Sequence, residues 1–212
     1  MVLLLLKGLQ MTFKDFLNKC SETIYPEIEG GVHKQLIPIA VNHACSFLKP
    51  DSKVLDIGIG TLQAMNVFRD KGHRVFGVSV SEKEIQTAKE SGFQCGLMDM
   101  HDIQELIADY DCVFARHVLE HSPCPLFVLN QIHSILKLDG IVYIEVPMPG
   151  TSCLHELNPN HYSVLGKLSW LQLISRAGFE VFSHNSFAPI VGTGPDEYAA
   201  FLCRKKTEMK NE

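Results

Sequence analysis

The sequence contains no apolar stretch that approaches the ~18 residues needed to cross a bilayer. Its first residues, Met1 to Leu6, are apolar, but the run is too short for a secretory signal and no basic residue precedes it. We therefore expect a cytoplasmic protein in which this segment packs on the domain or on a partner chain. An interfacial membrane contact is the alternative.

Cysteine pairs and basic clusters are also missing. The seven cysteines are odd in number and form no C-x-x-C pair, which predicts reduced thiols and no bound metal. The formal net charge is −5, and no run of basic residues appears beyond Arg204–Lys206. Proteins that bind nucleic acid usually carry a basic face, so we expect no nucleic-acid partner. The oligomeric state cannot be read from the sequence.

What the sequence does contain is a regular alternation of apolar strands and helices. After two predicted helices in the first 50 residues, strands alternate with helices that begin at capping residues or end at glycine. This alternation predicts a parallel sheet with helices on both faces. The predicted strands cover residues 53–57, 74–78, 93–98, 111–115 and 141–146.

The C-terminal part breaks the alternation. After a predicted helix near Trp170–Ala177, the runs Phe179–Phe187 and Glu197–Cys203 both look like strands, and no helical pattern separates them. Such a hairpin predicts an antiparallel edge, hence an α/β, doubly wound, mostly parallel seven-stranded sheet. The length suits a single domain. We divide it into a helical cover (1–50), a ligand-binding core (51–146), a lid insertion over the pocket (147–163) and a C-terminal helix with the hairpin (164–212).

The most informative motif follows the first predicted strand. Asp56 lies near the end of this strand, and Gly58 and Gly60 follow at two-residue spacing. Ligands of open α/β sheets bind beyond the carboxyl ends of the strands, where glycines allow close approach of the backbone. A plain strand-to-helix turn would explain the glycines as well. A dinucleotide fingerprint needs a further glycine, but this chain has Gln63 there, and an acid disfavours a pyrophosphate.

With five later segments, this motif resembles the class I S-adenosylmethionine-dependent methyltransferases of the small-molecule type, whose first motif is acid-x-Gly-x-Gly-x-Gly. The segments occur in the order of that family and span roughly residues 50–204. They are residues 54–61, 77–81, 99–100, 114–121, 136–141 and 177–181. The resemblance implies a Rossmann-like fold, S-adenosylmethionine as cofactor and S-adenosylhomocysteine as product.

The resemblance also implies which residues bind the cofactor. Asp56, Gly58 and Gly60 would hold its methionine part, and Asp99 would accept a hydrogen bond from its adenine amino group. The remaining predicted cofactor-binding residues are Ser79, Val80 and Met98 around the ribose and adenine, the amide of Met100, the carbonyl of Ala115, and Arg116.

Two positions depart from the family pattern. Leu62 replaces the third glycine, and Ser79 replaces an acid that binds both ribose hydroxyls. Because hydrogen bonds to charged groups contribute ~1.5–3 kcal/mol, we expect cofactor binding that persists but is weaker than usual. Glu82, one turn further on, is a candidate substitute for the missing acid.

Methyl transfer needs a positioned acceptor, and a base where the acceptor is a hydroxyl or a protonated amine. His117 and His121, with Glu120 between them, would suit a metal pair, but no third ligand follows at motif spacing. We instead place His117, with Arg116, near the methyl group, and interpret His121 as a packed or capping residue.

The predicted lid, residues 147–163, is rich in histidine, asparagine and tyrosine, which suits a polar small molecule; a solvated proline-rich loop is the alternative. We take His155 and His161 as candidate bases, so that the predicted catalytic residues are His117, His155 and His161. The predicted substrate-binding residues are Glu145, His155, Asn160, His161 and Tyr162. Glu145 is either a pocket residue or a satisfied buried acid. His33, with Tyr25, Glu27 and Glu29, either borders the pocket or lies in a surface loop.

These patterns predict an enzyme that transfers a methyl group from S-adenosylmethionine to an unidentified small polar molecule. The departures at Ser79 and Leu62 motivate one alternative, a non-catalytic cofactor-binding or interaction protein of the same fold. A nicotinamide-dependent oxidoreductase is a further alternative, against which Gln63 and the C-terminal hairpin argue.

Overall fold

A computed structural model of the chain describes residues 11–21, 31–107 and 109–206. Met1 to Leu6, and Tyr25, Glu27 and Glu29, lie outside these residues. A seven-stranded sheet runs in the order β3-β2-β1-β4-β5-β9-β6, and β9 is antiparallel to both of its neighbours. The strands are β1 Lys53–Ile57, β2 Arg74–Ser79, β3 Gln94–Leu97, β4 Tyr110–Arg116, β5 Leu136–Pro147, β6 Phe179–Phe187, β7 Ile190–Val191, β8 Gly194–Pro195 and β9 Tyr198–Lys205.

Helices cover both faces of the sheet because alternate strand residues are apolar on each face. One face packs against α2, α3 and α4, and the other packs against α5 and α6. None of the helices that the structure describes is both long enough and apolar enough to cross a membrane. The helices are α1 Phe13–Ser21, α2 Gly31–Cys45, α3 Gln63–Asp70, α4 Glu82–Glu90, α5 Pro125–Ile135 and α6 Lys167–Arg176.

The predicted α/β fold with a C-terminal antiparallel hairpin is confirmed, with element ends shifted by a few residues. The third strand is shorter than predicted, because residues 93 and 98 lie outside β3. The connector of the C-terminal hairpin contains a small hairpin of its own, formed by β7 and β8. This small hairpin precedes Asp196, a residue that becomes important at the site.

A proline within α2 helps to tie this helix to the glycine loop. Pro38 has no amide hydrogen to donate to the Lys34 carbonyl, one turn earlier. The side-chain amide of Gln63 donates to that carbonyl instead, at 2.9 Å. Gln63 begins α3, so this bond holds the first half of α2 over the end of β1, where the site lies.

Candidate active site

The loop after β1 has the backbone geometry that its glycines predict. Gly58 and Gly60 have φ angles of +78° and +45°, values that residues other than glycine rarely adopt. A Cβ atom at Gly58 would also approach the Cγ2 atom of Val118 to 3.3 Å. The loop therefore brings bare backbone to the carboxyl edge of the sheet, where a ligand can lie against it.

A depression opens beside this loop. Asp56 and Arg116 both line it, from the ends of the adjacent strands β1 and β4. Both side chains are buried, and the Nη2 atom of Arg116 has no hydrogen-bond partner among residues 11–21, 31–107 and 109–206. A carboxylate and a guanidinium side by side match the ammonium and the carboxylate of an amino acid. These residues therefore fit the methionine part of the expected cofactor.

Leu62 shows how the chain tolerates the loss of the third glycine. Its backbone is left-handed, at φ 65° and ψ 7°, which costs a leucine ~1–2 kcal/mol. Its side chain is only 4% exposed and packs in a cluster with Met65 of α3 and Ile85 of α4. The loop thus keeps the conformation of a glycine while the leucine side chain fills the interface between α3 and α4.

Ser79, at the end of β2, is linked to an acid other than the one predicted. Its hydroxyl donates to Oε2 of Glu84 at 2.7 Å and accepts from the Ser81 amide at 3.0 Å. Glu82 is exposed and shows no such bond. The carboxylate that Ser79 lacks is therefore supplied next to the end of β2 by Glu84, which is hydrogen-bonded to the serine hydroxyl.

The turn after β3 contains the predicted adenine-binding residues. Oδ1 of Asp99 accepts from the His101 amide at 2.8 Å and lies 2.5 Å from His101 Nδ1, and these bonds lower the pKa of Asp99 although burial raises it. The His101 ring is anchored in turn on Ser122 Oγ at 2.8 Å. Val80 is half exposed, while Met98 and Met100 are more buried.

Glu145 of β5 is the centre of a buried ionic cluster. Its Oε1 atom lies 2.8 Å from Arg116 Nε and 3.1 Å from His117 Nε2, and its Oε2 atom accepts from the Tyr143 hydroxyl at 2.5 Å. Both carboxylate oxygens are thus occupied by neighbouring side chains, as in a satisfied buried acid. That Glu145 binds substrate stays a prediction.

His117 lies between two carboxylates. Its φ angle of 50° turns the ring so that Nδ1 is 3.5 Å from Glu120 and Nε2 faces Glu145. Burial alone would lower the pKa of His117, but the two acids outweigh burial and raise it to about 9. The ring is therefore protonated at neutral pH, which makes His117 a fixed cation beside Arg116. The position near the methyl group stays a prediction.

The His155 ring is oriented by a buried carboxylate. Its Nε2 atom is 2.9 and 3.1 Å from the two carboxylate oxygens of Asp196, which is only 3% exposed. The Tyr198 hydroxyl donates to Asp196 at 2.6 Å and lies 3.1 Å from His33 Nε2 on α2. Burial would raise the pKa of Asp196, but these donors, with Thr151 and the Glu197 amide, lower it to about 2.

The remaining lid residues sit next to this pair. His161 stacks on His155 with ring centroids 5.6 Å apart, and it meets the His121 ring at 4.9 Å. Asn160 is fully buried, and its carbonyl accepts from His121 Nδ1 at 2.8 Å, whereas Tyr162 is 41% exposed. The residues from the lid and from the segment after β4, predicted separately, thus form one cluster, and His33 borders it.

Sequence reasoning missed Asp196, Tyr198 and Glu84. Asp196 follows glycine and proline, a context in which an acid is readily explained by a turn. Tyr198 has the apolar pattern of a strand residue, and Glu84 has the spacing of a capping box with Ser81. Each residue therefore had a sufficient local explanation that hid its second role.

The sequence was also compared with known proteins. A family profile described as a methyltransferase domain matches residues 33–184. A ubiquinone biosynthesis O-methyltransferase of Pseudomonas aeruginosa is 29% identical over 133 residues, which are 58% of this chain and 54% of the relative. The chain spans about half the length of the curated relatives that it matches.

Solved structures give the same fold. The 1,6-didemethyltoxoflavin-N1-methyltransferase of Burkholderia thailandensis, with bound 1,6-didemethyltoxoflavin and S-adenosylhomocysteine, has a TM-score of 0.69 at 18% identity. That match covers 92% of this chain and 87% of the other. A SAM-dependent methyltransferase of Archaeoglobus fulgidus has a TM-score of 0.66 at 19% identity, over 81% of this chain and 94% of the other. At these identities the likeness establishes the architecture alone.

Proposed function

Since this chain belongs to the class I S-adenosylmethionine-dependent methyltransferases, we propose that it transfers a methyl group from that cofactor to an oxygen of a small polar molecule. The observation that carries the proposal is a continuous row of contacts along one sheet edge. It joins the depression lined by Asp56 and Arg116, through His117 and Tyr198, to the pair of His155 and Asp196. The names of the curated O-methyltransferase relatives favour oxygen as the acceptor atom.

The cofactor would be held by three groups of residues. Asp56 and Arg116 bind its ammonium and carboxylate, and the turn at Asp99 binds its adenine. At the ribose, Glu84 supplies the negative charge that Ser79 lacks, because the Ser79 hydroxyl is bonded to it. When bound, S-adenosylmethionine supplies a methyl group on a positively charged sulfur. Every other requirement of the reaction falls on the protein, which has to hold the acceptor in line and take up its proton.

His155 is the base in this proposal. Asp196 accepts the Nε2 proton of the ring and so leaves Nδ1 as the proton acceptor, the same division of roles as in other histidine–carboxylate pairs. The proton of the acceptor hydroxyl passes to Nδ1 as its oxygen takes the methyl group, and Asp196 stabilises the resulting imidazolium. His117, already protonated, shares the Glu145 carboxylate with Arg116 and packs against the Tyr198 ring rather than removing a proton.

The parts of the chain predicted as cover and lid both contribute to this arrangement. His33 from the cover and His155 from the lid reach the same buried pair, Asp196 and Tyr198. An acceptor at this edge would thus be enclosed by three parts of one domain, which excludes water from the methyl group.

A transfer assay with methyl-labelled S-adenosylmethionine and a panel of phenols, catechols and aliphatic alcohols tests the proposal. We expect His155→Ala to reduce kcat by about 100-fold, to leave the Kd of S-adenosylhomocysteine unchanged, and to recover activity as rising pH ionises the acceptor. His184→Ala, an exposed histidine on β6, is the matched control and should retain full turnover. An unchanged kcat in His155→Ala would remove this residue from the base role. Absence of cofactor affinity in the wild type would remove the proposal as a whole.

A further inference from the structure

Three metal-ligating side chains meet beside the site. One donor atom each from Glu120, His121 and His161 lies within 4.8 Å of the other two. Two of these residues are neighbours in the turn after β4, and the third comes from the lid 40 residues later. The sequence suggested His117 and His121 as a pair without a third ligand. The fold instead brings His161 to His121 and Glu120, and His117 is not part of this group.

Glu120 shows that the cluster is more than a chance grouping of polar residues. The side chain is 1% exposed, and its Oε1 atom lies 3.5 Å from His117 Nδ1. Its Oε2 atom has no hydrogen-bond partner in the part of the chain that the structure describes. A buried carboxylate oxygen without a donor costs ~1–3 kcal/mol or more, so such an oxygen needs an explanation. A cation bound to it would provide one.

His121 is oriented in the manner of a metal ligand. Its Nδ1 atom bonds the carbonyl oxygen of Asn160 at 2.8 Å, so the ring donates there and keeps its lone pair on Nε2. Histidines that bind metals usually donate their other ring N–H to a backbone carbonyl or a carboxylate in this way. The lid is held in register, because the amides of Tyr162 and Ser163 donate to the Glu120 carbonyl at 2.8 and 2.9 Å.

We propose that Glu120, His121 and His161 bind one divalent transition-metal ion of the Zn²⁺ type. Two imidazoles and one carboxylate form a known ligand set for such ions and leave further positions open to water or to an acceptor oxygen. Bond lengths of about 2.0–2.2 Å require the side chains to close slightly around the ion. The ion would lie between His117, which contacts Glu120, and His155, which stacks on His161.

A second cluster, Cys153, His155 and Asp196, has donor atoms equally close together. Its carboxylate, however, already receives the Tyr198 hydroxyl, the His155 ring and the Glu197 amide. A metal ion there would have to displace these donors, so we assign the ion to Glu120. Cys153 then provides a matched control, because it lies in the lid as His161 does but outside the proposed ligand set.

The experiment is calorimetric titration of untagged, chelator-treated protein with ZnCl₂ in the absence of any cofactor. We expect one Zn²⁺ per chain, at least about tenfold weaker binding in Glu120→Gln and in His161→Ala, and unchanged binding in Cys153→Ser. In known metal sites, mutation of a residue that only hydrogen-bonds to a ligand weakens metal affinity by about 10–100-fold. Loss of a ligand itself should therefore weaken binding at least tenfold. Thermal unfolding of the metal-free variants shows whether each is folded. If Glu120→Gln is unfolded, the loss of zinc binding is judged from His161→Ala.

Titration with CoCl₂ distinguishes the two clusters. Binding at Glu120 gives visible cobalt bands without a sulfur-to-cobalt charge-transfer band, while a charge-transfer band that disappears in Cys153→Ser would place the ion at the other cluster and overturn the proposal. No saturable Zn²⁺ binding by the wild type, or equal binding by His161→Ala, would overturn it as well. Metal binding and cofactor binding are measured separately, so failure here leaves the proposed methyl transfer untouched.

Discussion

At the scale of single residues, the proposed function moves the negative charge beside the ribose from position 79 to a neighbouring side chain. The family pattern has an acid where this chain has Ser79, and the carboxylate of Glu84 lies 2.7 Å from the serine hydroxyl. The Ser79 hydroxyl also accepts a hydrogen bond from the Ser81 amide. It thus contacts both Ser81 and Glu84, and these two residues form the capping bond at the start of α4, from the Glu84 amide to the Ser81 hydroxyl. In the proposed function, the ribose subsite and the start of α4 therefore depend on the same three residues.

This arrangement predicts that Glu84→Gln weakens binding of S-adenosylhomocysteine by about tenfold, since ~1.4 kcal/mol lies just below the ~1.5–3 kcal/mol of a charged hydrogen bond. Ser79→Asp alone should tighten binding less than the family pattern suggests, because the new carboxylate would face Glu84. The double variant, Ser79→Asp with Glu84→Gln, removes this repulsion and should bind more tightly than either single variant. Isothermal titration calorimetry measures all three.

Glu82→Gln is the matched control for these titrations. It removes an exposed carboxylate from the same helix turn, so the Kd should stay that of the wild type. If Glu82→Gln weakens binding and Glu84→Gln does not, the acid chosen from the sequence is the correct one, and the role proposed for Glu84 is wrong.

At the scale of elements, the start of α3 combines backbone strain with good packing. Leu62 holds a left-handed backbone at the position before the helix, while its side chain fills the contact between α3 and α4. The leucine thus contributes packing that glycine lacks, and bears a conformational cost that glycine would avoid. The two effects have opposite signs and can be separated by substitution.

We predict that Leu62→Ala lowers the free energy of unfolding by about 2–5 kcal/mol, because it removes the buried side chain and keeps the strain. Leu62→Gly should be about 1 kcal/mol more stable than Leu62→Ala, because glycine relieves the left-handed backbone. This order is the reverse of that expected within a helix, where alanine is the better residue. Urea denaturation of the wild type, Leu62→Ala and Leu62→Gly measures the three free energies of unfolding. A more stable Leu62→Ala than Leu62→Gly would show that the backbone at this position is not strained.

At the scale of the whole molecule, Asp196 connects parts of the chain that are distant in sequence. Its carboxylate contacts His155 of the lid and Tyr198 of β9, and Tyr198 in turn contacts His33 of α2. These donors lower the pKa of Asp196 from its ordinary value of 3.8 to about 2. A carboxyl group with a lowered pKa stabilises the folded state above its ordinary pKa, and this contribution is lost as the pH falls through the folded value.

The corresponding prediction concerns stability in acid. At pH 7, Asp196→Asn should lower the free energy of unfolding by ~2 kcal/mol, which corresponds to the lowered pKa. The difference from the wild type should shrink between about pH 4 and pH 2, where the wild-type carboxylate takes up its proton. Urea denaturation across this range tests the prediction, with Asp70→Asn as the exposed control. A difference that stays constant with pH would show that the loss does not come from the charge.

The acceptor side of the site marks the limit of prediction from sequence. His117, His155 and His161 were predicted together as catalytic residues, yet the fold gives them three different environments: between two acids, on one acid, and beside His121 and Glu120. Residue type made each a candidate catalytic residue. Only the charges and donors around each ring separate them, and these come from β5, the residues just before β9 and the turn after β4.

The sequence by itself determined the sheet, the glycine loop and the position of the turn after β3. Apolar period, capping residues and turn chemistry act over a few residues, so they can be read along the chain. Only the tertiary structure decided that Glu84 supports Ser79, that Asp196 holds His155, and that His161 joins Glu120. Electrostatics and hydrogen bonding act through space over a few ångströms, and the groups that they join here lie between 5 and 41 residues apart in sequence.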